Sequence, residues 1–259
     1  MAGFDNRNYA DIAGSRTQAH EIDAGLRSYM LSVYNYMAIG LAITGVVAYG
    51  FFMMAVTQDP GAAVAKLANG TMLTEFGRLL FVSPLKWVVM LAPLGMVFLL
   101  SARINKMSVS GAQLSFWVFA ALMGASLSSI FLVYTHGSIA RVFFITAASF
   151  GALSLWGYTT KKDISGWGSF LFMGLIGIII ASLVNLFLQS SALQFAVSVI
   201  GVLVFAGLTA YDTQKIKEMY YELDNSDVMG RKAIMGALSL YLDFINLFVM
   251  LLSLFGNRD

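Results

Sequence analysis

Two aspartates lie within or directly beside apolar stretches of the chain, where a charged side chain needs an explanation. Asp212 directly follows the apolar run 193–211, and Asp243 lies in the middle of the apolar run 233–255. A charged side chain at the centre of a membrane helix costs about 2.5–3.5 kcal/mol on insertion scales. Such residues usually face the interior of a helix bundle or a water-filled path. The two carboxyl groups are therefore the first candidates for a functional site.

Two carboxyl groups in contact at membrane depth can respond to protons. If the helix of the first run continues two turns beyond Asp212, both groups reach a similar depth. Ionised carboxylates 4 Å apart repel by about 4 kcal/mol at an effective dielectric of 20, so the pair would share a proton and titrate as a unit. Hard carboxylate oxygens also suit Ca²⁺, which makes Asp212 and Asp243 a candidate weak Ca²⁺ site. Alternatively, each aspartate separately accepts hydrogen bonds, with Tyr211, Tyr241 and Asn246 as candidate supporting partners.

The composition predicts the elements that position these residues. Of the 259 residues, 58% are hydrophobic and 12% are charged, whereas soluble domains are about 45–50% apolar and about 25% charged. A hydrocarbon core about 30 Å thick needs about 20 apolar residues per helix. Seven runs qualify, at 29–55, 85–101, 111–134, 139–157, 167–188, 193–211 and 233–255. We predict an all-α polytopic membrane protein, with an N-terminal tail (1–28) and a seven-helix transmembrane domain (29–259).

The basic residues predict the orientation of this bundle, because cytoplasmic loops carry an excess of Lys and Arg. Eleven fall on the side of the N-terminus: Arg7, Arg16, Arg27, Arg103, Lys106, Lys161, Lys162, Lys215, Lys217, Arg231 and Lys232. Five fall on the other side: Lys66, Arg78, Lys86, Arg141 and Arg258. We therefore expect the N-terminus in the cytoplasm and the C-terminus outside. Arg103, which closes the second span, either reaches inward to a carboxylate as a latch or anchors the helix at the interface.

Several function classes are disfavoured. The formal net charge of +2 gives no reason to expect a nucleic-acid partner, and the absence of cysteine excludes disulfides and thiolate metal sites. The chain contains no nucleophile elbow, phosphate loop, zinc motif or dinucleotide fingerprint. Intramembrane aspartyl proteases carry Gly-x-Gly-Asp, but Leu240-Tyr241-Leu242 precedes Asp243. We expect neither an enzyme nor a bound cofactor, with Ca²⁺ only as a permeant or weakly bound ion.

The segments that carry the two aspartates resemble a known family. Residues 210–216 (AYDTQKI) and 237–248 (ALSLYLDFINLF) are similar to the signature of the Bax inhibitor-1 family, also called the transmembrane Bax inhibitor motif family. The second segment matches at twelve consecutive positions, and the resemblance covers about residues 28–256. It implies a bundle with a central seventh helix, surrounded by the other six.

The resemblance also implies a function. Members of the family act as pH-sensitive Ca²⁺ leak channels, and their paired aspartates on helices six and seven fall on Asp212 and Asp243. A basic residue at the inner end of helix two latches onto that pair, and Arg103 is the best match for it. The implied partners are calcium ions, protons and the lipid bilayer, and we expect a monomer.

The resemblance leaves a second role open. The long first loop (56–84) is similar to that of bacterial members, which implies a bacterial inner membrane. Some of those members are associated with a membrane-bound ATP-dependent protease, as substrates or modulators. The alternative function is therefore an interaction protein in membrane quality control, acting through the tail. Ca²⁺ flux through the purified protein would discriminate between the two roles.

Overall fold

The computed structural model describes the backbone of residues 5–258 and the side chains of residues 24–258. This part contains eight α-helices: α1 (Asp5–Ala55), α2 (Glu75–Phe81), α3 (Leu85–Arg103), α4 (Val109–Leu127), α5 (His136–Thr159), α6 (Trp167–Leu188), α7 (Ser191–Glu218) and α8 (Ser226–Phe255). Short 3-10 helices follow α3 (Ile104–Lys106) and α4 (Ser128–Leu132). Three two-residue strands, β1 (Val56–Thr57), β2 (Ala65–Lys66) and β3 (Met72–Leu73), form an antiparallel sheet in the order β1-β3-β2.

Every helix except α2 is long and apolar enough to cross a membrane, which confirms the seven predicted spans. The largest differences are at the polar ends of the last two spans. Helix α7 runs on to Glu218, and α8 begins at Ser226. At these ends the Met219 amide closes α7 by donating to the Lys215 carbonyl (3.0 Å), and the Asn225 side chain caps the first turn of α8 by accepting a hydrogen bond from the Val228 amide.

The predicted boundary between tail and membrane domain falls inside a helix. Helix α1 continues through residue 28, and its candidate span begins at Ala24. The tail prediction rests on residues 1–28, of which residues 1–4 and the side chains of residues 5–23 lie outside the described part. The C-terminal Asp259 lies outside it as well.

The helices alternate between two ends of the bundle, which we name by their features. The loop end carries the small sheet and α2. Two hydrogen bonds join the segments at this end: Asn69 Nδ2 donates to the Leu132 carbonyl (3.2 Å), and Thr135 N donates to the Asn257 carbonyl (3.0 Å). The basic end carries Arg27 and those other basic residues predicted to face the cytoplasm whose side chains the structure describes. The sheet was not predicted, because two-residue strands are too short to show an alternating pattern.

Helix α8 is central, as the resemblance implied. In its most apolar segment 56% of the residues are buried, against 39% or less in the corresponding segments of the other spans. It packs mainly against α1, α4, α5 and α7, whereas α3 packs on the outside of α4 and α6 on the outside of α7. The other six spans therefore form an inner and an outer layer around α8, and a residue in the middle of α8 lies deep in the bundle.

A close helix approach holds α7 in place beside this centre. Gly157 of α5 lies directly against the backbone of Ala210 in α7, and a Cβ added to Gly157 would be 2.4 Å from the Ala210 carbonyl oxygen. Only glycine permits this contact. It fixes the part of α7 that carries Asp212, two residues further on.

Candidate functional site

Asp243 is a buried acid without a partner. The residue is 5% exposed, and its Oδ2 atom is fully buried with no hydrogen-bond partner in the described part of the chain. Buried polar atoms are nearly always hydrogen-bonded, and an orphan costs about 1–3 kcal/mol. A buried carboxyl oxygen that stabilises nothing in this structure is therefore a candidate for binding a proton or an ion.

Asp212 lies beside it on α7. The residue is half-buried, and its carboxyl group interacts electrostatically with that of Asp243. Helix α7 continues for six residues past Asp212, a little under two turns. The structure thus brings the two acids together, much as the helix-extension argument required. The charge of Lys215, about one turn further along α7, acts on Asp212.

The neighbours of Asp212 in the signature segment hold the fold together. Gln214 fixes the loop between α5 and α6, donating to the Lys162 carbonyl (2.9 Å) and accepting from the Ile164 amide (3.0 Å). Directly after the segment, Lys217 Nζ donates to the Tyr158 carbonyl (2.9 Å). These side chains are engaged in tertiary contacts, so the two carboxyl groups differ from the polar residues around them.

A chain of hydroxyl groups reaches this part of α7 from α1. Tyr34 bonds Ser154 Oγ of α5 (2.6 Å), Ser154 bonds Thr213 Oγ1 (2.9 Å), and Thr213 donates to the Thr209 carbonyl (2.7 Å). The sequence analysis missed these residues. Hydroxyl side chains inside apolar helices were the available signal, but which hydroxyls face each other depends on how the helices are rotated.

Two predicted supporting residues have other partners. The Tyr241 hydroxyl lies 2.6 Å from Thr44 Oγ1, and its ring packs against Phe116 and Phe119. Tyr241 precedes Asp243 by two positions, which is about 200° around a helix, so it points to the opposite side. Asn246 donates to the Leu242 carbonyl of its own helix (2.8 Å).

The third predicted supporting residue, Tyr211, faces α6. Its hydroxyl lies against Gly168, where an added Cβ would be 2.6 Å away. Lys215 Nζ lies 5.9 Å from the centroid of the Tyr211 ring. In this structure the tyrosine side chain is used to pack α6 onto α7.

Arg103 does not form the predicted latch in this structure. The residue ends α3 and is exposed, and the salt bridges among the described residues join other pairs, Arg78 with Glu75 and Lys232 with Asp224. The following residue, Ile104, is the one that is buried. One position corresponds to about 100° of helix rotation, so Arg103 points outward, as an interfacial anchor does.

The other end of the α7–α8 interface is polar as well. A cavity of about 390 Å³ opens at the loop end and includes Asn185, Gln194 and Ser253. Gln194 accepts from Asn185 Nδ2 (3.1 Å) and donates to Ser253 Oγ (3.2 Å), and Ser198 donates to Ser253 Oγ (2.9 Å). We call these four residues the outer polar cluster.

An apolar contact separates the outer polar cluster from the acids. Met250 of α8 packs onto Gly201 of α7, where an added Cβ would be 2.8 Å from the Met250 sulfur. Ile178, Val197 and Val204 pack around the same contact. The α7–α8 interface is therefore polar near both ends and dry in between.

The acid pair does not form a complete metal site. No group of three or more His, Cys, Asp or Glu side chains that could hold a metal ion occurs in the part of the chain that the structure describes. Ca²⁺ prefers six to eight oxygen ligands. Two carboxyl groups fit a transient contact with a hydrated cation better than a resident ion.

These features define a class: an integral membrane protein of seven spanning helices, with a buried acid on its central helix and a second acid beside it. Residues 26–259 match the family described as Inhibitor of apoptosis-promoting Bax1. The inner membrane protein YbhL of Escherichia coli (strain K12) is 49% identical over 237 residues, 91% of this chain and 94% of the relative. An uncharacterised protein of Rickettsia prowazekii (strain Madrid E) is 47% identical over 251 residues, 97% of this chain and 98% of the relative. The chain belongs to the Bax inhibitor family.

Proposed function

We propose that the protein is a pH-sensitive Ca²⁺ leak channel, in which Asp212 and Asp243 form the proton-sensitive element. The observation that carries the proposal is the buried Asp243 oxygen without a hydrogen-bond partner, next to a second acid on the adjacent helix. Its relative YbhL is named as an inner membrane protein, and we place this chain in the same kind of membrane.

The proposed path follows the α7–α8 interface. Cations enter or leave at the loop end through the outer polar cluster, whose amide and hydroxyl oxygens can replace part of a hydration shell. They interact with Asp212 and Asp243 near the other end. The Met250–Gly201 contact closes the path between them, because an apolar constriction excludes water and ions.

The charge of the acid pair sets the proposed pH response. With one shared proton the two carboxyl groups attract, and α7 stays against α8. With both groups ionised they repel each other and attract a divalent cation, so the leak rises with pH. Lys215 is the basic group that acts on Asp212 in the described structure. Arg103 lies outside the pair.

Ca²⁺ flux in liposomes tests the proposal. We expect Asp243→Asn to lower the leak at neutral pH and to flatten its dependence between roughly pH 5 and pH 8, because a neutral amide does not ionise and lacks the negative charge that attracts Ca²⁺. Asp227→Asn is the matched control, since Asp227 is an exposed acid on the same helix. Wild-type flux at every pH in folded Asp243→Asn would refute the role of the pair.

A further inference from the structure

Helices α1 and α5 both pack against α8 but not closely against each other. The gap between them forms two cavities, of about 650 Å³ toward the basic end and about 630 Å³ toward the loop end. Both are lined by Ala38, Leu41 and Phe244. Together they form one continuous groove, the α1–α5 groove, with α8 as its floor. We call the half toward the basic end the inner half.

The groove is apolar along its length. Phe244 of the floor contacts Phe150 and Phe143 of α5, each with 5.5 Å between ring centroids. The hydroxyls of Tyr34 and Ser154 line the inner half and satisfy each other. Glycines at the rim, Gly45 and Gly151, are exposed and have nothing within 4 Å of an added Cβ. The groove is thus open to the side, where the bilayer lies.

One charged residue marks an end of the groove. Arg27 lines the inner half and is exposed at the basic end. From Arg27 to Leu41, where the two halves meet, α1 rises by about 21 Å at 1.5 Å per residue. Half of a hydrocarbon core is about 15 Å thick. The inner half therefore matches one leaflet in depth, with a cation at headgroup level.

We infer that the inner half of the α1–α5 groove binds one phospholipid. Its acyl chain lies against Leu31 and Leu155, which line the inner half and are 52% and 62% exposed, and its phosphate pairs with Arg27. Arginine binds phosphate through paired hydrogen bonds, and a cavity of this size is in the range of small-molecule sites. Phe244, one residue after Asp243, forms the floor beneath the acyl chain, but binding of the phospholipid does not depend on the proposed leak.

A lipid-retention experiment with two variants and the wild type tests the site. Gly151→Leu places a side chain in the inner half, at a position where an added Cβ meets nothing within 4 Å. Gly177→Leu is its control, because Gly177 is also exposed with nothing within 4 Å of an added Cβ but lies on α6. The protein is washed in detergent, and the phospholipid that remains is counted by native mass spectrometry. We expect one phospholipid per wild-type chain and per Gly177→Leu chain, and none on Gly151→Leu. Equal retention by folded Gly151→Leu and wild type would overturn the proposal.

The headgroup contact has its own test, which does not rely on the glycine variant folding. Thermal unfolding is followed during titration with phosphatidylglycerol, phosphatidylcholine or inorganic phosphate. We expect Arg27→Gln to bind phosphatidylglycerol about fivefold more weakly, the factor for one basic residue at an anionic membrane surface. Stabilisation by inorganic phosphate alone would assign Arg27 to a free anion instead. Unchanged phosphatidylglycerol affinity in Arg27→Gln would also contradict the site.

Discussion

At the scale of single residues, the acid pair differs from its polar neighbours because Asp243 lacks the hydrogen bonds that those neighbours form. Gln214 and Lys217 hold tertiary contacts, whereas Asp243 Oδ2 contacts no donor among the described residues. A protein that keeps such a costly group on its central helix accepts a loss of stability at that position. This cost favours a functional reading of the pair over a structural one.

A variant of Tyr241 can distinguish a structural role in the signature segment from a role in the proposed sensor. Its hydroxyl bonds Thr44, so we expect Tyr241→Phe to destabilise the protein by about 1 kcal/mol, the net value of one buried hydrogen bond. The pH dependence of Ca²⁺ leak should stay that of wild type, because the ring faces away from Asp243. Thermal unfolding and liposome flux measure the two effects separately. A shifted pH profile in Tyr241→Phe would place this hydroxyl back in the sensor.

Sequence patterns predicted what depends on one helix alone. The seven spans follow from apolar length, and the two acids follow from their position in apolar runs. The contacts of Tyr241, the Tyr34–Ser154–Thr213 chain and the outward direction of Arg103 depend on how each helix is rotated against its neighbours. The charge and length of a segment do not determine that rotation, so the spans could be predicted from the sequence, whereas the hydrogen-bond partners of the supporting residues could not.

At the scale of elements, the interface of α7 and α8 combines two polar regions with one dry contact. The flexible Met250 side chain packs into the space beside Gly201, which has no side chain of its own. The same two helices carry the acids on one side of this contact and, on the other side, three of the four residues of the outer polar cluster, Gln194, Ser198 and Ser253. A small change in the distance between α7 and α8 would therefore act on all three parts of the proposed path.

Truncating the dry contact should open the proposed path. We expect Met250→Ala to raise Ca²⁺ leak about tenfold, which corresponds to a barrier lower by about 1.4 kcal/mol. Met250→Leu keeps the apolar volume and should leak like wild type. Met173→Ala is a second control, since Met173 is 66% exposed on α6. Equal flux through all four proteins would move the proposed path away from this interface.

At the scale of the whole molecule, the distribution of charge and cavities is uneven. Basic residues gather at one end of the bundle, and the α1–α5 groove opens on one side of it. The outer layer, α3 and α6, covers α4 and α7 but leaves the α1–α5 groove open to the side. The central helix is therefore enclosed by protein next to the acids, and the proposed phospholipid lies in the groove between α1 and α5.

The orientation of the bundle follows from the same uneven charge. We expect the basic end in the cytoplasm, because eleven of the sixteen Lys and Arg residues were assigned to that side. The chain has no cysteine, so a single introduced thiol reports its side without background. Lys161 at the basic end and Ala62 at the loop end are both exposed. In intact spheroplasts a membrane-impermeant maleimide should label Ala62→Cys at once and Lys161→Cys only after permeabilisation. The reverse pattern would invert the bundle and place the acid pair near the outer surface.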